Sequence, residues 1–308
     1  MPEALRVSAP ATSANLGPGF DALAVALDVA NEITLVRRPG PLTVRVVGEG
    51  AGELRQDEEN LLCRALAVGL GSLDGLEVEC RNRIPLGRGL GSSAAAVCAG
   101  LVAANALGAL RWSPDDILDR ATELEGHADN AAACLAGGFA AVAVDAPAVR
   151  LAPPEGLAFL TVVPPERVAT EAAREALPQE VRLPDAADSL ARAVGLVLAL
   201  AEGRLHDLPC LLHDRLHEPH RAPLVPALAP LRRLAGQGAV LGATISGSGP
   251  SVLVWCRAEG AAAAAAAARE ALASAAVDAE VRVARAAPAG VSARWMGDAP
   301  IRLAGAIG

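Results

Sequence analysis

The segment Arg83-Ile84-Pro85-Leu86-Gly87-Arg88-Gly89-Leu90-Gly91-Ser92-Ser93-Ala94-Ala95-Ala96 constrains this chain more than any other. Three glycines alternate up to a pair of serines, and a run of small residues follows. Glycine lets backbone N–H groups turn toward an anion with no Cβ in the way. The stretch 94–107 reads as a helix, so its positive N-terminal end points at the same anion. The two hydroxyls offer bonds to phosphate oxygens or to a bound Mg²⁺. An ordinary strand-to-helix turn explains one glycine here, but not three.

The chain contains no lysine, so all 27 of its basic residues are arginine. The Walker phosphate loop, which needs G-x-x-x-x-G-K-[ST], is therefore excluded. Lysine Schiff bases and lysine-linked pyridoxal phosphate are excluded too. A dinucleotide loop can be laid on Gly89, Gly91 and Ala94. No strand ending in an acidic residue follows at the distance that fingerprint requires.

A length of 308 residues with 52% hydrophobic and 20% charged residues suits one large or two medium globular domains. The net charge of −8, with 2% aromatic residues and no Tyr, argues against a nucleic-acid surface. No uninterrupted apolar run reaches membrane-spanning length. The start, Met1 to Arg6, enters a strand-like segment and does not read as a signal peptide. Six cysteines, at 63, 80, 98, 134, 210 and 256, form no C-x-x-C pair. They read as small apolar core residues of a cytoplasmic, reducing compartment. His213, His217 and His220 share a helical spacing, but Pro219 breaks the helix before the third. A polar helix end is the better reading than a metal site.

Patterning predicts strands at 4–9, 31–37, 42–48, 76–84 and 139–145. Helices are predicted over 58–71 and 94–107, from Ser113-Pro114-Asp115-Asp116 toward Glu125-Gly126, and after Asp129-Asn130 as far as Gly137-Gly138. The proline-punctuated stretch Pro147 to Pro154 marks a boundary, giving domains 1–150 and 151–290 with a tail at 291–308. Beyond it come a strand at 157–163 and helices at 168–177, 186–202, 205–217 and 223–236. A hairpin-like pair at 239–245 and 251–256, an alanine-rich helix at 261–268 and a strand at 280–285 complete the pattern. This half reads as helices on one face of an antiparallel sheet. Residues 288–308 show no clear pattern.

Two further motifs stand out. Pro10-Ala11-Thr12-Ser13-Ala14-Asn15-Leu16-Gly17-Pro18-Gly19-Phe20-Asp21 follows a strand and is dense in turn residues and side-chain donors. Gly242-Ala243-Thr244-Ile245-Ser246-Gly247-Ser248-Gly249-Pro250-Ser251 is a second glycine turn, able to bring backbone close to a ligand. Neither contains G-x-S-x-G, so a hydrolase elbow is not supported.

In this order and spacing the three motifs resemble those of the GHMP kinases, over about residues 5 to 287. The first motif resembles most closely that of the family's homoserine-phosphorylating branch. So do Glu125-Gly126-His127-Ala128-Asp129-Asn130, Thr170-Glu171-Ala172-Ala173-Arg174-Glu175-Ala176-Leu177-Pro178 and Glu218-Pro219-His220-Arg221. The resemblance implies an α+β fold of two domains. The first is a mixed α/β domain with the glycine-rich phosphate loop. The second is a ferredoxin-like domain of helices on an antiparallel sheet, and the active site lies in the cleft between them. It implies ATP and Mg²⁺ as cofactors and L-homoserine as acceptor in threonine synthesis. It implies neither a nucleic-acid nor a membrane partner, and leaves a homodimer open.

Residue by residue, the resemblance implies that Pro85, Leu86, Gly87, Arg88, Gly89, Leu90, Gly91, Ser92, Ser93, Ala94 and Ala95 wrap the ATP phosphates, with Asn60 near the nucleotide. Ser93 and Glu125 hold Mg²⁺, with Glu123 as the alternative carboxylate. Asn15, Asp21, His127, Arg174 and Arg221 surround the acceptor, and Asn15, Asp21 and Asn130 stand nearest the chemistry. Arginine forks suit a carboxylate, Asp21 an ammonium, and Asn15 or His127 a hydroxyl. Asn130 falls where mevalonate-kinase-like relatives carry Asp, so no dedicated carboxylate base is expected. The alternatives are another GHMP small-molecule kinase, or a catalytically silent member acting as a binding protein.

Overall fold

The computed structural model describes residues 4–168, 170–296 and 300–301. The first half contains β1 (Ala4–Ala14), β2 (Leu23–Arg37), β3 (Thr43–Gly48), α1 (Leu61–Leu70), β4 (Leu76–Asn82), α2 (Ser92–Gly108), α3 (Pro114–Glu125), α4 (Asp129–Ala136), β5 (Phe139–Ala143) and β6 (Ala146–Leu151). The second half contains β7 (Leu157–Val163), α5 (Thr170–Glu175), α6 (Leu183–Ala201), α7 (Leu208–Leu211), α8 (Glu218–Arg221), α9 (Leu228–Arg232), β8 (Val240–Ile245), β9 (Val252–Arg257), α10 (Ala261–Ser274), β10 (Glu280–Ala284), β11 (Ser292–Trp295) and β12 (Pro300–Ile301).

Two sheets organise these elements. The larger runs β12-β11-β1-β2-β4-β3, and β5 pairs with the near half of β2 and with β6. Among the described residues only β3 and β4 pair in parallel. The smaller sheet runs β10-β7-β9-β8 and is antiparallel throughout. Its chain order of strand, helices, two strands, helix, strand is the ferredoxin-like arrangement that the second half was expected to adopt.

Local sequence explains most elements. The glycine loop leaves β4 and opens α2, whose Ala94 to Ala104 are almost all buried. This helix carries apolar residues on every side, as a fully enclosed helix must. Ser113 caps α3 in a reciprocal capping box with Asp116, and Pro114 occupies the first turn. In α10 the buried Ala261, Ala264, Ala265, Ala268 and Leu272 form one stripe against the smaller sheet.

Several expectations change. β2 begins at Leu23, eight residues before its predicted start, because β5 pairs with Leu23–Val25. The stretch read as a boundary contains β6, an edge strand in which Pro147 loses no ladder bond. The helices predicted at 205–217 and 223–236 break into short turns. Pro209, Pro219, Pro223, Pro226 and Pro230 withhold the N–H groups that longer helices need. Part of the segment read as a tail forms β11, which pairs with β1 from Leu5↔Trp295 to Ser8↔Ser292. Residues 297–299 and 302–308 of that segment, and Met1–Glu3, lie outside the described residues. Five cysteines are buried as expected, but Cys210 is exposed.

Candidate active site

The three motifs meet. Gly87, Gly89 and Gly91 all have positive φ, at 63°, 71° and 68°. A Cβ on Gly89 would lie 2.1 Å from the Ser246 carbonyl oxygen, and one on Gly91 would lie 1.9 Å from Thr12 Oγ1. The first and third motifs thus press on the loop where only glycine fits. Ser246 Oγ donates to the Gly89 carbonyl at 2.6 Å and lies 2.8 Å from Ser13 Oγ. Asn15, 3% exposed, donates to the Gly247 carbonyl at 2.8 Å and accepts from the Asp21 amide at 2.9 Å. Its amide therefore joins the first motif to the third. Asn15 and Asp21 both hold positive φ, at 71° and 51°, conformations that Asn and Asp tolerate better than most residues.

These contacts frame a cleft of about 1490 Å³ between the two sheets' layers. The loop from Gly87 to Ala94 and Pro85 line it, as do Asn15, Asp21, Glu125, His127, Asn130, Arg174 and Arg221. Leu86, Ala95 and Asn60 are not on its wall. Asn60 caps α1 by accepting from the Leu62 amide at 3.0 Å, and its amide donates to the Arg55 carbonyl. Arg88 reaches away from the loop, donating to the Pro164 and Pro165 carbonyls at 2.9 and 2.8 Å. It ties the loop to the second domain and does not point as a free cation at a phosphate.

The N-terminus of α2 has no side-chain cap, so its first amides are unclaimed beside the glycines. Ser93 Oγ donates to Glu125 Oε1 at 2.5 Å. Burial pushes the Glu125 carboxyl above its usual range, against the pull of that bond. Glu123 is exposed and off the wall, which leaves Glu125 as the carboxylate facing Ser93. His127 Nδ1 lies 2.9 Å from Asp129 Oδ1, and that bond raises the imidazole's pKa above its usual value. Asp129, 3% exposed, also accepts from the Asn130 amide, and Asn130 Oδ1 accepts from Thr12 Oγ1 at 2.7 Å.

The far end of the cleft combines an exposed ion pair with a buried guanidinium. Arg174 of α5 grips Asp21 with two bonds, at 2.7 and 3.2 Å. Arg221 of α8 is 2% exposed and has no carboxylate within 4 Å among the described residues. It donates to the Ala173 carbonyl at 3.1 Å and lies 5.4 Å from the Phe20 ring. Burial and the nearby Arg174 charge depress its pKa, against the opposing pull of Asp21, Asp214 and Asp129.

Sequence reasoning missed the residues behind Arg221. Asp214 accepts from the amides of Leu216, His217 and Glu218, at 3.0, 2.7 and 2.8 Å, and so builds the turn into α8. Glu218, fully buried, pairs with Arg232 and accepts from the Ile245 amide at 2.7 Å. Burial outweighs Arg232 and pushes the Glu218 carboxyl up to about 7. The three histidines once grouped do not converge: His217 is buried, while His213 and His220 are exposed. The available signal was Asp214 itself, since an aspartate whose carboxylate accepts from amides two to four residues on builds an Asx-type turn.

Comparison with known proteins agrees with this geometry. Residues 60–138 match the GHMP kinases N terminal domain, and residues 196–274 match GHMP kinases C terminal. A homoserine kinase of Streptomyces coelicolor is 45% identical over 267 residues, which span 83% of this chain and 85% of that protein. A homoserine kinase of Thermus thermophilus is 42% identical over 259 residues, 82% of this chain and 87% of its own length. The crystal structure of homoserine kinase from Cytophaga hutchinsonii superposes with a TM-score of 0.85 at 31% identity, covering 96% of this chain and 98% of that one. A Lactococcus lactis galactokinase, at 14% identity and a TM-score of 0.70, shares the fold alone. With both halves of the family matched and its phosphate loop in place, the chain belongs to the GHMP kinases, within their homoserine kinase branch.

Proposed function

We propose that this chain transfers the γ-phosphoryl group of ATP to the side-chain hydroxyl of L-homoserine, giving ADP and O-phospho-L-homoserine. The carrying observation is Arg221, a buried guanidinium on the cleft wall with no carboxylate partner among the described residues. A buried charge costs several kcal/mol unless paired, so the missing partner is best supplied by a substrate carboxylate. Mevalonate also carries a carboxylate; galactose does not. The Asp21–Arg174 pair beside it favours an acceptor bearing both signs, because a zwitterion can take Asp21 with its ammonium and Arg174 with its carboxylate.

The glycine loop and the open end of α2 receive the phosphates. Ser93 and Glu125 supply two hard oxygen donors there, and no cluster of three His, Cys, Asp or Glu groups among the described residues offers a metal cage of its own. That donor set fits Mg²⁺, which is usually held by one or two carboxylates together with waters and substrate phosphates. Bound there, the ion neutralises phosphate charge as the transition state loosens. The acceptor oxygen forms the new P–O bond as the bond between the γ-phosphorus and its bridging oxygen breaks, ADP leaves, and the hydroxyl proton is released to water.

The two motif carboxylates considered as bases, Asp129 and Asp21, are both engaged. Asp129 is enclosed by His127 and Asn130, and Asp21 is held by Arg174. Positioning and charge stabilisation carry most of phosphoryl transfer, so the reaction tolerates this. The test is ADP release with L-homoserine, mevalonate and galactose, for wild type and Arg221→Ala. Homoserine-dependent release that collapses in the variant supports the reading. A preference for another acceptor, or undiminished turnover of homoserine by Arg221→Ala, overturns it.

A further inference from the structure

We propose that His217 is a positioning residue that holds Arg221 in register with the first-motif loop through a fixed neutral tautomer. The inference rests on the reading of Arg221 as the group that takes the substrate carboxylate. His217 is fully buried and is the residue immediately before α8. Its Nε2 lies 2.9 Å from the Gly17 carbonyl oxygen. A carbonyl only accepts, so Nε2 carries the proton. In the neutral ring Nδ1 is then a bare acceptor, and it lies 3.4 Å from Arg221 Nη1. A guanidinium only donates, so the two ends of the imidazole suit their neighbours in one tautomer alone. The ring stays neutral because burial pushes its pKa down to about 4, and the nearby Arg221 charge adds to that.

The same ring stacks on Phe20, with centroids 5.1 Å apart and an angle of 24° between planes. Phe20 also lies under Arg221 and immediately precedes Asp21. One side chain thus touches the loop backbone at Gly17, the aromatic residue beside Asp21, and the guanidinium itself. Asp214 fixes where the histidine sits by accepting its amide N–H. Without His217, Arg221 keeps the Ala173 carbonyl at 3.1 Å and the Gly247 carbonyl at 3.4 Å, and loses the side-chain acceptor that links it to the Gly17 backbone.

The experiment pairs two substitutions with a double-mutant cycle. His217→Phe keeps a stacking ring and removes both hydrogen bonds, while His217→Gln keeps a donor and an acceptor. His217→Phe should raise the KM for L-homoserine about tenfold or more, from the groups left unsatisfied. The kcat and the KM for ATP should stay within about threefold, and His217→Gln should recover most of the loss. The wild-type preference for L-homoserine over homoserinol, which lacks the carboxylate, should shrink in His217→Phe. Adding Arg221→Ala should cost no more than Arg221→Ala alone, since both act through one guanidinium. Additive effects, or an unchanged homoserine KM in a folded His217→Phe, overturn the proposal. If His217→Phe does not fold, the cycle is run with His217→Leu, which also removes both hydrogen bonds, and additivity there overturns it equally. A wild type that ignores L-homoserine would instead defeat the reading of the acceptor.

Discussion

If the cleft takes ATP and an amino acid as proposed, its two ends bind charge by opposite means. At the nucleotide end there is almost no charged side chain aimed inward: three glycines, the open end of a buried helix and two serines do the work, and Arg88 turns away to the second domain. At the acceptor end the wall is made of Arg174, Asp21 and Arg221, propped by buried His217, Asp214 and Glu218. Backbone amides recognise any polyphosphate of the right shape. A particular amino acid needs charges of both signs at fixed places, and a buried charge stays put only when other buried groups hold it. The first end should therefore fail by collision, taking the fold with it. The second should fail by losing one substrate.

The largest effect should come from Gly89→Ala. Its φ of 71° and a Cβ only 2.1 Å from the Ser246 carbonyl oxygen leave backbone against backbone. Strain of about 1–2 kcal/mol for the left-handed conformation adds to about 1–3 kcal/mol of overpacking. Thermal denaturation should show that loss together with activity on every acceptor. Gly126→Ala, at φ 80° with nothing within 4 Å, should show only the backbone part. Equal behaviour of the two variants would end the claim that contact between motifs makes the loop.

Arg221→Ala comes next, and it tests the other end. Truncating one partner of a buried charged contact costs about 2–5 kcal/mol, so the homoserine KM should rise by at least about thirtyfold while the ATP KM holds. Arg221→Lys should recover only part, because an ammonium cannot make two parallel bonds. If both KM values climb together, the ends are not separable.

Glu125→Gln should lower kcat by at least roughly tenfold with an unchanged melting temperature, while Glu123→Gln stays near wild type. Steady-state kinetics at several Mg²⁺ concentrations would check it. The reverse ranking would move the metal to Glu123.

The smallest effect is in pH. The Asp129 bond raises the His127 pKa above 6.5, so the folded protein holds that proton more tightly than the unfolded chain does. Its contribution is present in full below about 6.5 and is lost as pH rises through the higher folded value. Urea midpoints should separate wild type from His127→Gln more at pH 6 than at pH 8.5, by up to about 1 kcal/mol for a partly exposed pair. An identical gap at both pH values would mean that folding does not change the histidine's pKa.

The nucleotide end was legible in the sequence because a glycine loop encodes its conformation where it stands. The ferredoxin-like half was legible for a related local reason: its strands are short apolar runs between turn residues, and its alanine run has high helix propensity. The acceptor end was legible only in part. Arg174 and Arg221 could be named through a resemblance, but His217 acquires meaning from the Gly17 carbonyl, 200 residues away. Asp214 works on backbone amides, which leave no trace in composition. Asn60 was placed correctly in the chain yet spends its amide on capping α1. The first half of β2 was hidden because its partner β5 comes over a hundred residues later.

β11 has a consequence for how the protein is made. It pairs with β1 across nearly the whole sequence, and the Met296 amide bonds to the Ala4 carbonyl at 2.7 Å. During synthesis β1 therefore waits with one edge open while all the helices of the second half emerge from the ribosome. An unpaired edge is a template for stray strands. The first sheet gains this strand only when residues 292–295 are free of the exit tunnel. Ribosome stalling ahead of that point should leave a chain that looks folded by its helices and is still easy prey for proteases and chaperones.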